Sequence, residues 1–350
     1  MERADDFYMM GVHALLVAVR HRQLKRVCGI LQMGGPIVKR IDCILPAGST
    51  GGRDHDEAGN TMLVVATMCA IACPGDQNCL EVCRALLEVG KADVNMLTSV
   101  GQTSLLIAAY HGHLKLCRLL VIEAKANVNK AGGGSWNKTP LFFAAKKGHL
   151  EVCRLLLAEG QADVNKADIT GITPLHVATL EGHQDVCRLL VIEGKADVNC
   201  ADSLGTPPWW LPLQTGNVDL SRVLLLESQI NLDQRTDGLK GKTPLHMAAG
   251  LGHLDLCRML ISEGTLDVNT TDSIRGMTPL FFATNADDVK ICRLLIEEGH
   301  ADVDKADITG HTPLHVATAR GNKAIIRLLL KHKALEFQTM PATPQPSLPS

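Results

Sequence analysis

Twelve cysteines and 14 histidines in a chain of 350 residues are the obvious starting point, because thiolates and imidazoles serve as nucleophiles and soft-metal ligands. Cys69, Cys73, Cys79 and Cys83 lie within fifteen residues of one another. Cys69 and Cys73 share a helix face if a helix runs up to Pro74. Their spacing is not the C-x-x-C pair of structural zinc sites, so they are weak zinc candidates and no metal is expected. A second series, Cys83, Cys117, Cys153, Cys187, Cys257 and Cys292, recurs at one slot that Ser221 and Ile326 fill elsewhere. An isoleucine there marks the slot as apolar. Helices packed about 8–10 Å apart hold such thiols beyond the roughly 7 Å Cα limit for bridging, so these cysteines are expected to be small core residues.

The histidines also fall into series: His176, His246 and His315 in one phrase, His113, His149, His183 and His253 after a glycine. None has a recurring nucleophile beside it. H-E-x-x-H and G-x-S-x-G are absent, and Gly132-Gly133-Gly134 lacks the following Gly-Lys-Ser/Thr of a phosphate loop. No catalytic constellation and no cofactor are expected. Arginines follow the cysteine slot at Arg84, Arg118, Arg154, Arg188, Arg222, Arg258, Arg293 and Arg327. Glu81, Glu151, Asp185, Asp219 and Asp255 precede five of them by three residues, the spacing of a helical ion pair. The expectation is a solvated, locally neutralised face.

The elements that must position these residues are repeated. Thr139-Pro140-Leu141-Phe142-Phe143-Ala144 returns in close variants at Thr173, Thr243, Thr278 and Thr312, with weaker copies at Thr61, Thr103, Pro207 and His13. Successive starts are 48, 42, 36, 34, 34, 36, 35 and 34 residues apart. Threonine at an N-cap accepts from an orphan N–H, and proline at the first helical position loses no bond, so a helix begins at each Thr-Pro. Gly-His then breaks it. A second helical run follows, as in residues 150–157, where Leu150, Cys153 and Leu157 are spaced for one face; Gly160 is expected to supply its left-handed stop. Ala162-Asp163-Val164-Asn165, echoed at Ala196 and Ala301, is the turn to the next unit.

These phrases resemble the ankyrin repeat, in both the Thr-Pro-Leu-His-x-Ala signature and the period, over about residues 10–335. The resemblance implies an all-α ankyrin-repeat solenoid of about nine stacked helix-turn-helix units with hairpin fingers, occupying 1–338 as one domain with a loop insertion at 43–60 and a degenerate repeat near 202–235. It implies a non-catalytic scaffold that binds a partner protein on its concave and finger surface. A substrate-recruiting adaptor or effector subunit of an enzyme complex is the alternative, as is a substrate of asparaginyl hydroxylation at Asn165 or Asn199. In the family, the phrase histidine ties the helix start to its neighbours.

A block of about four repeats is duplicated: Lys166–Gly171 returns as Lys305–Gly310 and Phe142-Phe143 as Phe281-Phe282, both 139 residues later. The two residues before each Gly-His slot diverge between copies, Lys146-Lys147 against Asn285-Ala286 and Leu180-Glu181 against Ala319-Arg320. In the family these positions face the concave surface. Candidate partner contacts are therefore Tyr110, His111, Lys138, Lys146, Lys147, Leu180 and Glu181. Trp136 on its glycine-rich finger joins them, with expected preference for some negative charge on the partner. In the sixth repeat Pro207-Pro208-Trp209-Trp210-Leu211-Pro212 replaces the signature. Pro212 predicts a shortened or distorted helix, and Trp209 and Trp210 are candidate anchors beside it.

Composition sets the outer limits. A formal net charge of −2 and 3% aromatic content argue against nucleic-acid partners. The acidic start Met1–Asp6 does not read as an export signal. The apolar run Met62–Cys73 is short of the roughly 20 residues that span a bilayer. A soluble monomer with reduced thiols in the cytosol or nucleus is expected, with no membrane partner. The Pro-rich tail 339–350 carries P-x-x-P spacings without a supporting basic residue, weak for SH3-type docking, and reads as disordered.

Overall fold

The computed structural model describes residues 17–19, 23, 25–27, 62–73, 77–132, 137–228, 241–264 and 266–339, the last six without their side chains. The insertion at 43–60, Trp136 and the tail from 340 lie outside the described residues. The chain divides into two compact units, Met1–Asp202 and Ser203–Ser350. The second begins within the expected degenerate repeat.

In the first unit, helices pair as α1 (Met62–Ala72) with α2 (Gln77–Glu88), α3 (Ser104–Tyr110) with α4 (Leu114–Arg118), α5 (Pro140–Lys146) with α6 (Leu150–Ala158), and α7 (Pro174–Leu180) with α8 (Gln184–Arg188). The second unit holds α9 (Trp210–Thr215) with α10 (Val218–Arg222), α11 (Pro244–Leu251) with α12 (Leu254–Glu263), α13 (Pro279–Asn285) with α14 (Val289–Glu297), and α15 (Pro313–Arg320) with α16 (Lys323–Thr339). First helices pack on first helices, α1 on α3, α3 on α5 and α5 on α7; so do α9 on α11, α11 on α13 and α13 on α15. Second helices pack likewise within each unit, α4 on α6 and α6 on α8, and α10 on α12, α12 on α14 and α14 on α16. Helices α4, α8 and α10 each continue into a five-residue π-helical segment ending at Glu123, Glu193 and Glu227. Among the described residues there is no strand, only one isolated bridge, Gly132 with Lys138, at the base of a finger.

Each Thr-Pro starts a helix by the expected chemistry. Thr103 and Thr139 accept at 3.2 Å from the backbone N–H of Leu106 and Phe142. Where the phrase has histidine, the box closes both ways: the N–H groups of Thr173, Thr243 and Thr312 donate to Nδ1 of His176, His246 and His315 at 3.1, 3.1 and 3.0 Å. His246 Nε2 then lies 3.0 Å from the carbonyl of Met277, in the next repeat. One imidazole thus caps a helix and fastens the following finger.

The turn after the first helix needs glycine for two reasons. Gly112 and Gly148 have φ of +70° and +72°, and a Cβ on them would lie 2.5 and 2.7 Å from Nδ1 of His149 and His183. Those rings reach back one repeat, their Nε2 atoms 3.0 and 3.1 Å from the carbonyls of Tyr110 and Lys146. Gly216 and His253 repeat the arrangement on the Gln214 carbonyl in the second unit.

Two local expectations are corrected. The face of α6 that is buried comprises Val152, Cys153, Leu155 and Leu156, whereas Leu150 and Leu157 are half-buried. Packing on both sides of a stacked helix widens the apolar stripe beyond one residue per turn. Gly160 is not left-handed; that conformation falls on Gln161, with φ of 54°, as on Lys91, Lys125, Lys195 and His300 in other repeats. Gly160 is there for space, since a Cβ would sit 2.7 Å from the Leu156 carbonyl and 2.8 Å from Val128.

The degenerate repeat keeps a short first helix. Helix α9 starts at Trp210 with no side-chain cap, so Pro212 is its third residue. There the missing N–H had no helical partner to lose. The proline is tolerated because the helix begins late.

Candidate functional site

Three successive first helices in the first unit end in residues that point away from the core. The last residues of α3, α5 and α7 are Tyr110, Lys146 and Leu180, and the caps that follow are His111, Lys147 and Glu181. Leu180 is 64% and Tyr110 37% exposed. Neighbouring rungs touch. Lys147 Nζ stands 4.9 Å above the Tyr110 ring, which meets Phe143 edge-on at 5.7 Å and His111 at 5.0 Å. Such a cation over a ring face is attracted by the quadrupole. Burial, reinforced by His149 and Lys147, moves the His111 pKa below the usual imidazole value, so the cationic groups of this surface at neutral pH are the two lysines.

The other sequence candidates fall elsewhere. Lys138 lies at the base of its finger, Nζ 3.9 Å from the buried Asp168 carboxylate and 5.0 Å above the Phe142 ring. Trp209 is 1% exposed, which corrects its assignment as an anchor: a buried ring has no surface to offer a partner, and Pro207, Pro208 and Pro212 are buried as well. Trp210, in the same unit, is half-buried.

The cysteine slot is core. Cys83, Cys117, Cys153, Cys187, Cys257 and Cys292 are all 0% exposed, and burial pushes each thiol up to about 12. Near neutrality they are neither nucleophiles nor thiolate ligands. In the four-cysteine cluster, the Cys79 thiol lies 3.6 Å from the Cys69 carbonyl. No group of three or more potential ligands among the described residues is arranged to hold a metal. The ten described cysteines are free thiols.

The arginine series behaves differently from the sequence expectation. Arg84 does reach the acid three residues before it, Glu81 at 2.6 Å. The recurrent partner is a glutamate of the next repeat: Glu123 for Arg84 at 3.0 Å, Glu159 for Arg118 at 3.1 Å, Glu193 for Arg154 at 2.6 Å, Glu263 for Arg222, and Glu298 for Arg258 at 2.9 Å. The signal was in the sequence, since a glutamate stands six residues after the cysteine slot in these repeats.

Two more features went unread. Asn95, Asn129, Asn165 and Asn269 accept through Oδ1 from the backbone N–H of Asn127, Asp163, Asp197 and Asp302 at 2.7–2.9 Å, lacing each turn to the next. Finger tips carry exposed aliphatic residues, Val100 (61%) and Ile169 (60%) in the first unit, Leu204 (82%), Ile274 (50%) and Ile308 (74%) in the second. Their one-letter signal was an aliphatic residue within two positions of the finger glycine.

Stacked helix pairs, Thr-Pro caps and asparagine-laced turns define a helical repeat array, and the family comparison agrees. The chain belongs to the ankyrin-repeat family: the family of ankyrin repeats described as three copies matches residues 15–132, 124–202, 192–272 and 265–339. Among solved structures, the human ASB11 ankyrin repeat domain is similar, with TM-score 0.50 and 24% identity over 66% of this chain and 98% of that one; this likeness concerns the fold. No curated protein matches the chain. Ankyrin repeats are in general protein–protein interaction modules, and no helix among the described residues is long and apolar enough to cross a membrane.

Proposed function

We propose that the chain is a non-catalytic scaffold that binds a partner protein across the helix ends of α3, α5 and α7. The observation that carries this reading is the composition of that surface: an exposed leucine, a half-open tyrosine ring and two lysines on consecutive rungs whose framework is otherwise repetitive. Thiols held near 12 leave the cysteine series without a nucleophile at neutral pH, which supports a binding role over catalysis. The free thiols suit a reducing compartment, cytosol or nucleus.

Affinity capture with the full chain from its native source tests this, comparing wild type with Tyr110→Ala combined with Leu180→Arg. Loss of a captured protein with unchanged thermal melting is expected. Retention of every captured protein by the double variant overturns the assignment of this surface.

A further inference from the structure

Charge along the second helices of the first unit is locally balanced, each of Arg84, Arg118 and Arg154 pairing with a glutamate. The ends of its first helices differ. Neither Lys146 nor Lys147 has a carboxylate within 4.0 Å among the described residues, and the one acid on the same helix-end columns is Glu181. Two adjacent ammonium groups without a counter-charge create a local positive potential that a solvated loop would disperse. Here it is kept in place. The Lys147 ammonium sits over Tyr110, and the Lys146 carbonyl is tied by His183 at 3.1 Å, which fixes that helix end. Apolar surface lies on both sides, Tyr110 on the preceding rung and the 64% exposed Leu180 on the following one.

Resting on the protein-binding reading above, we infer that this surface takes an acidic peptide segment, with carboxylates over Lys146 and Lys147 and an apolar side chain against Leu180. Charge complementarity selects the acid. The flanking tyrosine and leucine require apolar side chains next to it, which a phosphate backbone does not offer, and Glu181 opposes a continuous polyanion. The second copy of the duplicated block is an internal control, because its equivalent positions are Asn285 and Ala286.

Selection of displayed random peptides on the full-length chain tests the assignment. Peptides bearing clustered Asp or Glu beside an apolar residue should be enriched. Their binding should weaken by about tenfold or more in Lys146→Glu/Lys147→Glu, as close charge pairs across interfaces do, and weaken as salt is raised. Lys146→Gln/Lys147→Gln should give a smaller loss, and Asn285→Glu/Ala286→Glu none. Melting curves of each variant separate lost binding from lost fold. Enriched peptides that are neutral or basic, yet lost in Tyr110→Ala/Leu180→Arg, overturn the acidic partner and leave the binding surface standing. Binders indifferent to all of these substitutions, or no binders, overturn the surface itself. A single-stranded oligonucleotide bound as well as the acidic peptides, and lost in the same lysine variant, assigns the site to nucleic acid instead.

Discussion

The duplicated block offers the same scaffold twice, once in each unit. Phe142 and Phe281 are 2% and 1% exposed. Asp168 and Asp307 each accept from the N–H and hydroxyl of the threonine two residues on, at 2.6–2.9 Å. Cys153 and Cys292 fill the same core slot. The copies part over an unbroken run of eight residues that opens Ala145-Lys146-Lys147-Gly148-His149 in the first and Thr284-Asn285-Ala286-Asp287-Asp288 in the second, and they part again at the next helix end, Leu180-Glu181 against Ala319-Arg320. The first exit uses a left-handed glycine and a histidine that reaches the Tyr110 carbonyl. The second places Asp287 at φ of 64° and caps α14 through Asp288 Oδ1, 2.9 and 3.0 Å from the N–H groups of Lys290 and Ile291. Change is dense where these helices leave the core, while Phe142, Cys153 and Leu155 keep their identities as Phe281, Cys292 and Leu294.

The units should differ most in their response to acid. His246, in the second unit, is 0% exposed, and burial lowers its pKa to about 4. Its folded pKa lies below the ordinary imidazole value of about 6.5, so the unfolded chain binds the extra proton and stability falls as pH drops from about 6.5 toward 4. The loss attributable to this group is on the order of 3 kcal/mol. Hydrogen exchange followed across that range should show residues 243–277 opening first. Simultaneous opening of both units, or an unchanged profile in His246→Asn, breaks the contrast.

A smaller effect separates the turns that precede the two copies. Gly112→Ala and Gly252→Ala share the left-handed penalty of about 1–2 kcal/mol. A Cβ at Gly112 also meets the His149 ring at 2.5 Å, while at Gly252 its sole neighbour is Asp288 Oδ2 at 3.9 Å. Displacing His149 forfeits its bond to Tyr110, so Gly112→Ala should cost about 1 kcal/mol more, measured by urea denaturation. Equal costs would show that the ring gives way freely. Smallest of all, Arg154→Ala in the first unit and Arg258→Ala in the second should each lower the urea midpoint slightly at low salt and less at high salt. A salt-independent loss would mean that packing of the arginine stem, not charge, is what these residues contribute.

Local chemistry was legible in the sequence and register between repeats was not. Threonine, proline, glycine and histidine act on backbone groups within a few residues of themselves, so the helix starts and turns could be derived directly. The helix-end columns could be placed because the glycine counts them off. The pairing of Arg154 with Glu193 could not be derived from an i, i+3 rule, because it depends on which faces of two second helices meet after stacking. Trp209 illustrates the same boundary: nothing local announces that its ring is buried while that of Trp210 beside it is only half-buried.

The arginine–glutamate contacts have a further consequence. At five joints one repeat presents a cation and the following one an anion, so these joints are chemically alike. Repeats that carry both residues can be added or excised among themselves and the new neighbours still match, which suits a chain that has copied a block of itself. The series ends where His332 occupies the glutamate position, and Arg293 turns to Glu297 of its own helix at 4.0 Å.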